Sequence, residues 1–279
     1  MDVFNDDWIK KLIVPKNDST KGDNGQITII AGSSLFHGAP LLALTTASRF
    51  ADMVYFASPE KSVGEVAEHI KSKLFSFIWI PWKEVDYYIK KSDVVLIGPG
   101  LMRFRSEGAT EEERHSCDEA CKETTEITKR FLTTFPDKKW VIDGGSLQTM
   151  ETGWIPKGSI LTPNKREYAK LFGNMNILDA VKKFNCTIVY KLPETIVCSP
   201  EKCIKIPGGN AGLTKGGTGD VQAGLTAALF AKNDAFLAAT AASFIVKGTS
   251  DELYKKVGTA YNADDLATEI PLYLPQFLR

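Results

Sequence analysis

The sequence predicts an α/β fold in which a mainly parallel sheet lies between layers of helices, and three observations carry that expectation. Short β-branched runs alternate with helical patterns along all 279 residues. Several of the runs are apolar at consecutive positions, Val94-Val95-Leu96-Ile97 most clearly, as expected of strands covered by helices on both faces. Glycine-rich segments follow several runs directly, which suits the loops at the carboxyl ends of parallel strands, where open sheets bind their ligands.

In chain order, strands are expected at Gln26–Ala31, Met53–Ala57, Phe75–Ile80, Val94–Ile97, Trp140–Ile142, Thr187–Tyr190 and Glu194–Cys198, each rich in β-branched, aromatic or other apolar residues. Helices are expected between them at Ala39–Ala51, Val63–Leu74, Ser116–Thr134, Lys165–Phe172, Ile177–Asn185, Gly219–Phe230 and Ala235–Val246. The last two are rich in alanine and apolar nearly all round, which predicts burial in the middle of the protein. No internal repeat, low-complexity stretch or Pro/Ser-rich linker interrupts the pattern, so residues 1–279 are read as a single domain.

Composition narrows the partners. With 34 basic and 34 acidic residues the chain has no overall field to attract nucleic acid or an anionic membrane, so any phosphate recognition must be local. The start, Met1-Asp2-Val3-Phe4-Asn5-Asp6-Asp7, has the character of neither a secretion signal nor a transit peptide, and no apolar stretch is long enough to span a bilayer. A cytoplasmic location is the expectation. The five cysteines (117, 121, 186, 198 and 203) are odd in number and form no Cys-x-x-Cys pair, so reduced thiols are expected. Cys117 and Cys121 have only His115 nearby and make no expected metal site, and His37 and His69 are read as loop or surface residues.

The most informative motif is Lys215-Gly216-Gly217-Thr218-Gly219-Asp220-Val221, set directly before an apolar helix. Its glycines let the backbone approach an anion, and the helix start offers N–H groups and the positive end of its dipole. The plainer alternative is a tight turn with a helix cap. Other strand ends converge on the same edge: Gly32-Ser33-Ser34 through Gly38-Ala39-Pro40, Gly98-Pro99-Gly100-Leu101, Asp143-Gly144-Gly145, and Thr162-Pro163-Asn164 followed by Glu167. Neither a P-loop nor a complete dinucleotide fingerprint is present, which disfavours a conventional dehydrogenase. Asn164 and Glu167, three apart at a helix start, suit Mg²⁺ beside nucleotide phosphates, or equally a capping box. Asp220 is the expected base, accepting a proton from a substrate hydroxyl while Gly217–Asp220 N–H groups stabilise a transferring phosphoryl group. Lys191 suits nucleotide phosphate or a solvated strand end, and Asp143 suits the site or a simple turn.

On these motifs the chain resembles the ADP/ATP-dependent NAD(P)H-hydrate dehydratases, repair enzymes of the ribokinase-like superfamily. The resemblance runs from Lys21-Gly22-Asp23-Asn24-Gly25, through Gly98-Pro99-Gly100-Leu101, Leu161-Thr162-Pro163-Asn164 and Gly216–Val221, to Gly258-Thr259-Ala260 and Asp264-Asp265-Leu266. It implies a ribokinase-like three-layer α/β/α sandwich. It further implies that Ala39, Gly100, Asn164 and Asp220 bind hydrated NADH or NADPH. Lys191, Leu192, Pro193, Glu194 and Thr195, with Gly216, Gly217, Thr218 and Gly219, would contact ATP or ADP. Asp220 would be the base, and Asn164 with Glu167 would serve magnesium. An epimerase on a separate chain is the implied functional partner. Met102, Leu192 and Gln222 depart from the family's usual glycine, glycine and leucine, and Asn164 from a histidine common in bacterial members.

A true kinase of the same superfamily, acting on hydroxymethylpyrimidine or hydroxyethylthiazole, would use the same Asp220 loop. A nucleotide-binding regulatory protein would not need Asp220, Asn164 and Glu167. Core helices and interface patches carry the same apolar signature, so the sequence leaves both a monomer and a homo-oligomer open.

Overall fold

One ten-stranded sheet organises the chain, in the order β1-β10-β9-β8-β7-β6-β5-β2-β3-β4. The structure, a computed structural model, describes residues 2–70, 74–103 and 118–277. The strands are β1 (Asp2–Val3), β2 (Gln26–Ile30), β3 (Met53–Ala57), β4 (Ile78–Trp79), β5 (Val94–Ile97), β6 (Lys139–Ile142), β7 (Ile160–Leu161), β8 (Thr187–Tyr190), β9 (Thr195–Cys198) and β10 (Cys203–Ile206). The helices are α1 (Gly38–Ala47), α2 (Lys61–Ile70), α3 (Val85–Lys91), α4 (Glu119–Thr134), α5 (Gly144–Thr149), α6 (Lys165–Phe172), α7 (Ile177–Phe184), α8 (Thr218–Phe230), α9 (Ala235–Val257) and α10 (Ala263–Tyr273). Every strand pairing is parallel except β8 with β9 and β9 with β10.

The consecutive apolar residues of the central strands divide between two cores. Ile27, Ile29, Val94, Leu96 and Val141 point to one face and pack with α1, α2, α8, α9 and α10. Ile30, Val95, Ile97, Trp140 and Ile142 point to the other and pack with α3, α4, α5, α6 and α7. This is the expected three-layer arrangement. Each fully buried Ile or Leu side chain contributes roughly 1.5–3 kcal/mol by leaving water, so β2, β5 and β6 are held from both sides. Strand β2 pairs with both β3 and β5, and the chain departs from it in opposite directions. That reversal opens a crevice at the carboxyl ends of the strands.

Some elements differ from expectation. Of Phe75–Ile80 only Ile78–Trp79 joins the sheet, because the Phe77 N–H turns back to the Phe75 carbonyl and Phe75 faces solvent. Helix α1 stops at Ala47, where the N–H groups of Arg49 and Phe50 bond three residues back and tighten the chain into a turn. Helix α4 begins at Glu119, with the Asp118 carboxylate accepting from the Cys121 N–H; the expected start at Ser116, like residues 71–73 of the second expected helix, lies outside the described residues. Helix α9 runs eleven residues beyond the expected end at Val246. Strands β1 and β10 and helices α3, α5 and α10 were not expected.

The expectation of reduced thiols is also corrected. Cys198 and Cys203 form a disulfide across the β9–β10 hairpin, where the register sets them opposite each other with Cα atoms 4.1 Å apart. Cys121 is disulfide-bonded as well, whereas Cys186 is a buried free thiol whose pKa burial pushes up to about 12. Cys117 and His115 lie outside the described residues. Among the described residues no helix is long and apolar enough to cross a membrane.

Candidate active site

Because β2, β5, β6, β7 and β8 run parallel, their carboxyl ends open on one edge, and the motifs that follow them meet there. A Cβ placed on Gly100 would lie 3.2 Å from the Cβ of Ala39 and 2.9 Å from the Phe36 carbonyl oxygen, so the loops after β5 and β2 touch. Asn164 and Lys191 extend the sheet by one parallel bridge past β7 and β8. The Lys191 N–H donates to the Pro163 carbonyl at 2.9 Å. Lys191–Thr195 is the turn from β8 into β9, closed by a 3.1 Å bond from the Thr195 hydroxyl to the Leu192 carbonyl, with Pro193 and Glu194 exposed. Glu194 pairs with Lys205 at 2.9 Å in solvent, an arrangement that contributes little to stability.

The loop before α8 is shaped by its neighbours. Gly217 caps the helix at φ +91°, in the left-handed region, and a Cβ there would come within 2.4 Å of Leu42 on α1 and 2.9 Å of Ala263 on α10. Only glycine meets both demands. The Thr218 hydroxyl donates to the carbonyls of Leu213 at 2.8 Å and Lys215 at 2.9 Å, which fixes the turn. The Lys215 ammonium is turned away to the carbonyls of Thr259 and Tyr261, so backbone rather than a lysine side chain forms this part of the loop. Gly216 faces open space. The first-turn N–H groups of α8 have no intrahelical acceptors, and with the helix dipole they suit an anion.

Beneath the loop, one ammonium is paired with a carboxylate and lies in the field of two more. Lys191 Nζ donates to Asp143 Oδ1 at 2.8 Å, and the Thr162 hydroxyl donates to the same oxygen at 2.6 Å. A Cβ on Gly219 would lie 3.3 Å from Lys191 Nζ, so the ammonium sits at the mouth of α8. Burial disfavours its charge, but Asp143, Glu167 and Asp220 hold its pKa above the usual lysine value. Burial, reinforced by the charge of Asp143 and opposed by Lys191, pushes the Asp220 carboxyl up to about 7. Burial and Asp143 likewise raise Glu167, against Lys191. A carboxylate poised near neutrality in a polar crevice is suited to accept a proton.

Asn164 and Glu167 form a capping box on α6. The Asn164 side-chain oxygen accepts from the N–H groups of Arg166 and Glu167, at 2.9 and 3.0 Å, and Glu167 Oε2 accepts from the Asn164 N–H at 2.8 Å. Gln148 donates to Glu167 Oε1 at 3.0 Å. The cap therefore occupies the Asn164 oxygen, while the buried Glu167 carboxylate lies in a cluster with surplus negative charge. Among the described residues no three His, Cys, Asp or Glu side chains form a metal cage. This donor set fits a magnesium ion held mainly by phosphate and water, with Glu167 as the protein's carboxylate.

The three departures are accommodated. Met102 is buried, with its sulfur 3.7 Å from the Ser34 hydroxyl that donates to it. Leu192 keeps a negative φ, so a leucine there carries no left-handed strain. Buried Gln222 donates to the Ser243 hydroxyl at 2.9 Å, which satisfies its amide. Sequence reasoning missed Thr162 and Gln148; Thr162 lies within the quoted Thr-Pro-Asn segment, whereas Gln148 lies on the short helix α5, which the Asp-Gly-Gly turn signal concealed.

A protein-family model described as NAD(P)H-hydrate dehydratase matches residues 27–272. The chain is 36% identical to a protein of Methanocaldococcus jannaschii named a bifunctional NAD(P)H-hydrate repair enzyme, over 96% of this chain and 52% of that one. It thus spans about half the length of that relative. Two solved structures share the fold. One is a ribokinase-like superfamily protein from Enterococcus faecalis, with a TM-score of 0.79 and 20% identity, covering 99% of this chain and 96% of that one. The other is an ADP/ATP-dependent NAD(P)H-hydrate dehydratase from Bacillus subtilis co-crystallised with ATP and Mg²⁺, with a TM-score of 0.76 and 23% identity, covering 99% and 98%.

Proposed function

Because the chain belongs to the NAD(P)H-hydrate dehydratase family, we propose that residues 1–279 act as a single domain that dehydrates hydrated NADH or NADPH at the expense of ATP or ADP. The observation that carries this reading is Asp220: a carboxyl with a pKa near 7, at a glycine-capped helix start and beside the Lys191–Asp143 pair. Hydrated nicotinamide is bound between Ala39, Gly100 and Asn164, with its ring hydroxyl at Asp220. The adenine nucleotide lies along Lys191–Thr195 and Gly216–Gly219.

Asp220 accepts the hydroxyl proton as the hydroxyl oxygen forms its bond to the terminal phosphorus, and ADP or AMP leaves. The α8 N–H groups and the Lys191 ammonium balance charge on the transferring group. The ring carbon–oxygen bond then breaks, phosphate departs with the electron pair, the ring nitrogen lone pair assists, and the neighbouring ring carbon loses a proton. Phosphate leaves far more readily than hydroxide. Glu167 would hold a magnesium ion, which would neutralise phosphate charge when bound. An activity that interconverts the two hydrate epimers is the functional partner of this reaction, and a cytoplasmic location fits substrates of this class.

Incubation with hydrated NADH or NADPH, magnesium and either ATP or ADP tests the reading by the return of dihydronicotinamide absorbance. Return coupled to nucleotide consumption is expected. A stable phosphoester product would instead identify a kinase.

A further inference from the structure

The expected end of α9 falls where the sequence turns polar, at Lys247-Gly248-Thr249-Ser250-Asp251, yet these residues lie inside the helix, with Lys247, Thr249 and Ser250 buried. Lys247 is only 6% exposed. Its ammonium donates to three main-chain carbonyls, Pro193 at 2.8 Å, Gly208 at 2.9 Å and Ile206 at 3.3 Å. Three N–H bonds meet three acceptors, so the donor capacity of the group is used up. Pro193 lies in the turn between β8 and β9, whereas Ile206 and Gly208 lie where β10 leads toward the Lys215–Asp220 loop.

The next turn of α9 holds the same segment. Asp251 accepts from the Gly209 N–H at 2.9 Å and from the Asn210 side-chain amide at 3.1 Å. The Asn210 oxygen in turn accepts from the Gly212 N–H at 3.0 Å and the Tyr261 hydroxyl at 2.9 Å. Gly208 sits at φ +79°, and a Cβ there would lie 2.7 Å from Asp251 Oδ2, so the segment is pressed against the helix. A buried lysine with only carbonyl partners is costly to keep unless they stay in place.

We infer that Lys247 is a positioning residue for nucleotide binding: from within α9 it fastens the Lys191–Thr195 turn to the Ile206–Asn210 segment that leads toward the Lys215–Asp220 loop, so that the turn and the loop keep one spacing. This rests on the reading of Lys191–Thr195 as a nucleotide contact. Lys247 spends its donors on the three carbonyls, and Asp220 lies on a different helix.

Lys247→Met keeps the aliphatic stem and removes the donors. The KM and Kd for ATP or ADP, whichever binds more tightly to the unaltered protein, are expected to rise roughly tenfold with kcat changed less than about threefold. An unchanged KM, or a loss confined to kcat, overturns the inference, as does a variant whose only defect is a lower melting temperature. If Lys247→Met does not fold, Gly208→Ala replaces it with the same expected split, and an unchanged KM again overturns the inference. Hydrogen exchange of the unaltered protein separates the two claims. Nucleotide binding that leaves exchange at residues 192–196 unaltered sinks the nucleotide reading of the turn. Protection there, with Lys247→Met binding normally, sinks only the role of Lys247.

Discussion

A carboxyl whose pKa rises from 3.8 to about 7 on folding binds protons more tightly in the folded chain than in the unfolded one. Stability contributed by Asp220 is therefore full below pH 3.8 and is lost as pH rises through about 7. Asp220→Asn is expected to unfold at higher urea than the original protein at pH 8, by on the order of a few kcal/mol, with the gap closing near pH 3.5. The same variant should lose roughly 10²–10⁴ in kcat; an active Asp220→Asn would remove the base from the mechanism. Activity of the unaltered protein is expected to fall below pH 7 as Asp220 takes up its proton. Lys191→Met removes a cation that lowers this pKa, so the acid limb should move to higher pH, whereas Asp143→Asn should move it lower; a pH–rate profile with a fixed midpoint contradicts the coupling. Asp220 was readable as a candidate base because a carboxylate after Gly-Gly-Thr-Gly has a definite chemical meaning. Asp143 stayed divided between site and turn, because Asp-Gly-Gly also spells a turn and its partner Lys191 is 48 residues away.

Local signals located most elements and tertiary partners set their ends. The capping box of α6 was legible from Asn164 and Glu167, and that helix has the expected bounds. Helix α9 was cut short because Lys-Gly-Thr-Ser-Asp reads as a stop; inward acceptors for Lys247 and inward donors for Asp251 override that signal, and a propensity scale sees neither. For α8 the decisive local residue is Gly217. Gly217→Ala combines a left-handed φ with a Cβ driven toward Leu42 and Ala263, at a cost of about 1–2 kcal/mol for the conformation and a further ~1–3 kcal/mol for crowding. A lower melting temperature and weaker ADP binding are expected together. Normal binding in a folded Gly217→Ala would show that the loop does not cradle phosphate.

The three-layer plan was visible in Val94–Ile97, since a strand with no polar position has no face for water. The β9–β10 hairpin was less visible, because Cys203–Ile206 alternates apolar with polar and its pairing depends on the turn after Cys198. The disulfide that closes it was equally hidden, since spacing alone does not set two cysteines in register. Replacing Cys198 and Cys203 by alanine is expected to cost about 2 kcal/mol for so short a loop; alkylation of both thiols in denatured, unreduced protein would show instead that the bond is absent. At the two borders of the sheet, β1 and β4 are each two residues long. An incoming chain finds little ladder on which to align at either border, so strand addition offers a poor route to fibrils even though the whole sheet is ten strands wide.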